Sequence, residues 1–199
     1  MVNNIIKVLL LVVIVVLAYF VVESIMKPVR FNKAVDIRSK AVIQNLVDIR
    51  TSEMAFKIIN GKYTSSFDTL IDFLQTGEIP VVNIIPDPED TTFTKTIRDT
   101  IGYIPVIDSL FNDRENYNVD HIKYIPYTDN VMFDLDAGVI EKGGVNVHVF
   151  EAQALYDIIL KGLNEQMVIN LIAGKEQIEK YPGIKVGSMT EASIDGNWE

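Results

Sequence analysis

Few side chains in this 199-residue chain are of a type and spacing that could do chemistry. The nearest approach to a metal motif is Asp134-Leu135-Asp136-Ala137-Gly138. Alternation along a strand puts Asp134 and Asp136 on one face, where two hard oxygens suit Ca²⁺. A full calcium site takes about six to eight oxygen ligands, and the flanking residues do not supply them. The pair therefore reads first as a polar strand face and second as a weak cation site. Asp87, Glu89 and Asp90 bracket Pro88 and read as solvated loop carboxylates. His121 and His148 are the only histidines, and neither stands in an H-E-x-x-H spacing. With no Cys, the chain has no thiolate nucleophile, no Cys-ligated zinc site, no disulfide and no lipoprotein attachment point. Nucleophile-elbow, P-loop and dinucleotide fingerprints are missing too. The expectation is a protein that is not an enzyme and carries no cofactor, with Ca²⁺ at Asp134 and Asp136 as the one weak exception.

The elements that would hold such residues are easier to read. Residues 5–26, IIKVLLLVVIVVLAYFVVESIM, carry no charge from Val8 to Val22. As a helix at 1.5 Å per residue they extend roughly 33 Å, the thickness of a hydrocarbon core. Lys7 can snorkel at one end, and Tyr19 suits the interface towards the other. The run is longer than the apolar region of a cleaved signal and lacks an A-x-A site after it. Residues 1–27 are thus expected to form an uncleaved transmembrane anchor in the inner or cytoplasmic membrane, with the lipid bilayer as first partner.

Residues 28–60 continue as an amphipathic neck, with Pro28 and no Gly before Gly61. At about 100° per residue, Phe31, Val35, Val42, Leu46, Ile49 and Phe56 form one apolar stripe; Ile43, Val47, Met54 and Ile58 form a second. Two stripes imply two things to bury against. One reading has a single domain surround the helix and cover both; the other gives the second stripe to a neighbouring envelope protein, a second copy included.

At Asn60-Gly61 the helical pattern stops, since Gly readily takes the left-handed conformation of a C-terminal cap. Ser65 then opens a Ser-x-x-Asp pattern with Asp68, and Phe67, Leu70, Ile71 and Leu74 give a short amphipathic helix that ends at Gly77. Beyond it, residues 61–199 read as a mainly antiparallel head. From Ile79, IPVVNIIPDPEDTTFTK is expected as strand and then exposed loop, and 103–111 (YIPVIDSLF) and 121–128 (HIKYIPYT) are expected as strands. The clearest hairpin is VMFDLDAGVIEKGGVNVHVFEA, with turn chemistry at Glu141-Lys142-Gly143-Gly144. Residues 163–181 return to helical spacing behind an Asn164 cap, and the tail from Gly183 is expected to add an edge strand. The fold class is α+β: a long N-terminal helix, half transmembrane and half amphipathic, followed by a small antiparallel head with one or two further helices.

An apolar anchor, a long helix, a stop at NGKYT, then SSFDTLIDFL and strands is an order that resembles type IV pilins and the pseudopilins of type II secretion. The resemblance covers residues 5 to 75. It implies a long helix half embedded in the membrane and half packed on a small sheet. The chain lacks the Gly that precedes the apolar helix in those families, its first being Gly61, and lacks their acidic residue near the helix start. The resemblance therefore implies the architecture and not the peptidase processing.

Charge divides along the chain: residues 1–60 hold 8 Lys/Arg against 4 Asp/Glu, and residues 61–199 hold 10 against 23. An acidic head on a basic neck excludes nucleic acid as a partner class, because phosphate contact requires a basic surface. The same charges bear on orientation. Lys27, Arg30, Lys33, Arg38 and Lys40 come after the anchor, and by the positive-inside rule they would hold the head in the cytoplasm. An N-terminal anchor that exports the chain beyond it, with the basic cluster on a continuing helix, gives the opposite and preferred expectation of an extracytoplasmic head. The function expected is a single-pass structural or accessory protein of a bacterial-type envelope complex, assembling through its N-terminal helix. The alternative is a membrane-tethered module binding a protein or small ligand, with or without a cation.

Overall fold

The computed structural model describes residues 2–86, 96–114 and 117–199. One helix, α1 (Val2–Asn60), runs 59 residues without a break. Pro28 lies inside it; the missing N–H costs the bond to the Ser24 carbonyl, yet the helix continues through it. Every apolar side chain from Val8 to Val22 is exposed. This half is long and apolar enough to cross a membrane, and none of it is buried in the protein.

The second half of α1 is the central helix of the head. Val42, Leu46 and Ile49 are fully buried, Phe31 and Phe56 nearly so, and Val35 packs at the edge of the same core. Full burial of each such side chain is worth about 1.5–3 kcal/mol, so the first stripe fixes which face of α1 the head covers. That cover is a three-stranded antiparallel sheet in the order β3 (Asp134–Lys142), β4 (Val145–Leu155), β5 (Gly183–Gly187). Leu135, Val149, Phe150, Ala152, Ala154, Ile184 and Val186 are among its buried members. The turn between β3 and β4 is Gly143-Gly144, both at positive φ, as the hairpin reading requires. The edge strand β5 approaches β4 so closely that a β-carbon on Gly187, at φ +76°, would overlap the Phe150 carbonyl.

Between α1 and the sheet the chain builds α2 (Phe67–Thr76) and a second antiparallel pair, β1 (Glu78–Pro86) with β2 (Thr96–Pro105). Next come α3 (Val106–Phe111) and a 3₁₀ turn at Val119–His121. After β4 come α4 (Tyr156–Ile159) and α5 (Glu165–Glu176). Gly61, at φ +75°, closes α1 by donating its N–H to the Lys57 carbonyl. Gly77 closes α2.

Four sequence expectations are corrected. In 103–111 the strand ends at Pro105, and Val106–Phe111 is helical, its buried Val106 and Phe111 facing the core; a short apolar run does not distinguish the two periods. In 121–128 there is one isolated bridge, Tyr124 to Met132, and no strand. The buried pair there, Ile122 and Ile125, is three apart, and Pro126 removes a donor. The cap of α2 is Ser66, not Ser65: Thr64 Oγ1 accepts the Ser66 N–H, and Ser66 in turn accepts from Thr69 N–H. Finally, α5 stops at Glu176, short of 181, in bonds of the tighter i+3 type from Ile178 and Glu179. Ile178 is 59% exposed, so no packing pulls a further turn into shape.

Candidate functional site

The residues with the best claim to chemistry are not brought together. Asp134 and Asp136 share the exposed face of β3, as alternation requires. Asp134 accepts a hydrogen bond from Gln153 Nε2 at 2.8 Å across the hairpin. Among the described residues no three Asp, Glu or His side chains form a metal-binding group. Asp87, Glu89 and Asp90 lie outside the described residues. His121 is exposed at the end of the 3₁₀ turn, and His148 is half-buried in β4 opposite Val139. Asp134 does line a cleft of about 210 Å³ with Gln153 and Tyr181. Burial, and after it the carboxylates of Glu151, Asp134 and Asp157, push the Tyr181 hydroxyl up to about 12. Asp134 is the one carboxylate that lines that cleft, beside Ile125, Met132, Leu155 and Ile158.

Polar side chains do converge where α1 meets the head. Asp48, Ser52 and Glu53 are the buried polar residues, all on α1. Asp48 receives a two-pronged ion pair from Arg114, at 2.6 and 2.8 Å, with the Tyr117 hydroxyl at 3.2 Å and Gln44 Nε2 at 3.1 Å. Phe111 and Tyr117 stack at 4.2 Å, with the Arg114 guanidinium over both rings. The hydrogen bonds to Asp48 hold the guanidinium above its ordinary range. Burial, then the Asp48 charge, raises the Tyr117 hydroxyl.

Glu53 is fully buried and holds the NGKYT segment by accepting the Thr64 N–H at 3.0 Å. Its other oxygen, Oε1, has no partner among the described residues. Burial lifts its carboxyl to about 8, against the lowering effect of the Thr64 bond, so at neutral pH it is protonated. Tyr63 in the same segment packs on Phe150 of β4 at 4.7 Å, with Lys57 Nζ over its other side at 4.5 Å. Further along α1, Arg38 donates to the Ile159 and Lys161 carbonyls, Asn45 to the Tyr124 carbonyl, and Arg50 pairs with Glu199 at 2.7 Å.

Hydrophobic periodicity does not single out these polar joints, yet a signal exists. At about 100° per residue Arg38 and Glu53 fall inside the angular range of the first apolar stripe, where a charged side chain has to find a partner or lose its charge. The contacts of the cluster orient the head on α1 and lock it there.

The second stripe is divided. Ile43 packs against the edge of the core and Val47 is half-buried, whereas Met54 is 40% and Ile58 81% exposed. The head covers the first-stripe side of α1 and leaves bare a sector that also carries Lys33, Asp36, Ile37, Lys40 and Gln44. Compared with models of protein families, with curated proteins and with solved structures, the chain matches none.

Proposed function

We propose that this protein is a membrane-anchored structural subunit of pilin-like architecture, assembling side by side through the bare sector of its neck helix in a bacterial-type envelope complex. One observation carries the reading. A single unbroken helix is exposed along its apolar first half and packed on one side by its own head along the second, leaving a sector on which Met54 and Ile58 stand exposed, with Ile37, Lys33, Asp36, Lys40 and Gln44 further down the helix. The head lies on the extracytoplasmic side. The basic flank that would retain it inside is partly engaged: Lys40 pairs with Asp36, and Arg38 is committed to head carbonyls.

Because the chain has no Cys, single-cysteine variants give a clean test. In native membranes, Met54→Cys and Ile58→Cys are expected to yield a disulfide-linked dimer on mild oxidation, and Val42→Cys, at a fully buried position, is not. No intermolecular product at either exposed position would remove helix packing as the mode of assembly.

A second reading, a membrane-tethered binding module, is favoured by the cleft beside Asp134. Its cation-dependent form requires Ca²⁺ to raise the melting temperature of the protein and Asp134→Asn to abolish the rise. An unchanged melting temperature up to millimolar Ca²⁺ excludes that form.

A further inference from the structure

The membrane end of the head holds a cleft of about 340 Å³ between α1 and the turn that leads into α5. Lys27, Arg30, Phe31 and Ala34 line it from one face of α1, and Leu163 and Met167 close the other side. Its position is set by the helix. Lys27 is the first residue after the apolar run, and the seven-residue step from Lys27 to Ala34 rises about 10 Å along α1. That step crosses the headgroup layer, which occupies about 5–8 Å on each side of the hydrocarbon core, and ends just beyond it. The two cations sit one turn apart on the cleft side. Lys27 has no acidic partner within the described residues, and Arg30 shares only Glu23, through contacts of 3.3 and 3.5 Å, while remaining 63% exposed. Glu165, which opens α5, lines the neighbouring groove with Asp157 and not this cleft. Phe31, Leu163 and Met167 give the cleft an apolar wall, and below it, past Glu23 on the same face, α1 continues into the exposed Val and Leu side chains of the span.

We propose that this cleft seats the headgroup of an anionic phospholipid from the membrane that α1 crosses. The phosphate lies between Lys27 and Arg30, and the acyl chains run down the exposed face of the span. A phosphodiester offers both cations charge-assisted hydrogen bonds, and a lipid so held would fix the head against the bilayer surface. The inference rests on the membrane-anchored reading of residues 2–26.

Full-length protein in neutral detergent, titrated with short-chain phosphatidylglycerol or phosphatidylcholine and followed by thermal melting, tests it. The expected result is at least tenfold tighter apparent binding of phosphatidylglycerol. The double variant Lys27→Gln, Arg30→Gln should lose that preference; Lys33→Gln, exposed on another face of α1, should retain it. Equal binding of the two lipids, or equal loss in the Lys33→Gln control, would overturn the site. A stabilisation by inorganic phosphate as large as that by phosphatidylglycerol would overturn the lipid as its source. Failure of the wild-type protein to partition into membranes at all would instead sink the anchor reading, and is measured separately by alkaline extraction.

Discussion

Replacing Glu53 by Gln should flatten the dependence of stability on pH. In the folded protein the Glu53 carboxyl holds its proton up to about 8, whereas its ordinary value is 4.5. Below the ordinary value both folded and unfolded chains carry the proton, and the group exerts no pH-dependent cost. Between the two values the unfolded chain releases its proton and the folded chain keeps it, so stability falls as pH rises; above about 8 the loss is complete. At about 1.4 kcal/mol for each pH unit, the total is on the order of 5 kcal/mol. Gln has the same shape, accepts the Thr64 N–H through its carbonyl, and never ionises. Glu53→Gln and wild type should therefore match near pH 5 and diverge towards pH 9, the variant being the more stable. Other carboxylates titrate in both proteins alike and cancel in the difference. Trp198, the only tryptophan and packed against the core, reports the unfolding. A constant difference between the two proteins from pH 5 to pH 9 would show that the buried carboxyl is not the titrating group. Glu53→Ala behaves differently: it removes the acceptor for Thr64 and should cost stability at every pH.

Arg114→Ala carries the second large effect. Only 4% of the Asp48 side chain is exposed, and the guanidinium grips both of its oxygens. Removing the cation leaves a buried charge with only Gln44 and Tyr117 as partners, and breaking a pair this way typically costs about 3–5 kcal/mol. Because 39% of the Arg114 side chain reaches solvent, the lower end of that range applies. Removing Asp48 instead leaves an arginine that can turn to water, so Asp48→Asn should cost less than Arg114→Ala. Combining the two should recover part of the loss, since no buried carboxylate is then orphaned. Arg114→Lys should not rescue, because a single ammonium reproduces neither the fork nor the planar seat over Phe111 and Tyr117. Thermal unfolding of the four proteins closes the double-mutant cycle. If Arg114→Ala melted within about 0.5 kcal/mol of wild type, the pair would be a surface ornament and not the joint between neck and head.

How much of this is legible in the sequence depends on the residue. The stripe from Phe31 to Phe56 is visible because six apolar side chains repeat at helical spacing, and the core forms on that stripe. The stop at Gly61 and the hairpin turn at Gly143-Gly144 are visible because positive φ selects glycine. Local pattern says less where short segments take their structure from their neighbours. Val106–Phe111 carries residues equally at home in a strand, and becomes a helix because Val106 and Phe111 both reach the core. Residues 121–128 lack alternation once Ile122 and Ile125 turn inward together. The polar joint is hidden for a different reason. Asp48 meets Arg114 across 66 positions of chain, and no local periodicity records a partner that far away. The division of the second stripe has the same origin: Ile43 lies nearest the first stripe around the helix and is drawn to the core edge, while Met54 and Ile58 lie beyond the reach of the head.

Assembly through the bare neck sector is tested most directly by the size of the particle in gentle detergent. Wild-type protein solubilised from membranes should run as a multimer by light scattering with the detergent mass subtracted. The variant Ile58→Asp should run as a monomer with an unchanged melting temperature, since that side chain is 81% exposed in the isolated chain. Equal particle masses for wild type and variant, whether both monomeric or both multimeric, would contradict assembly through this sector.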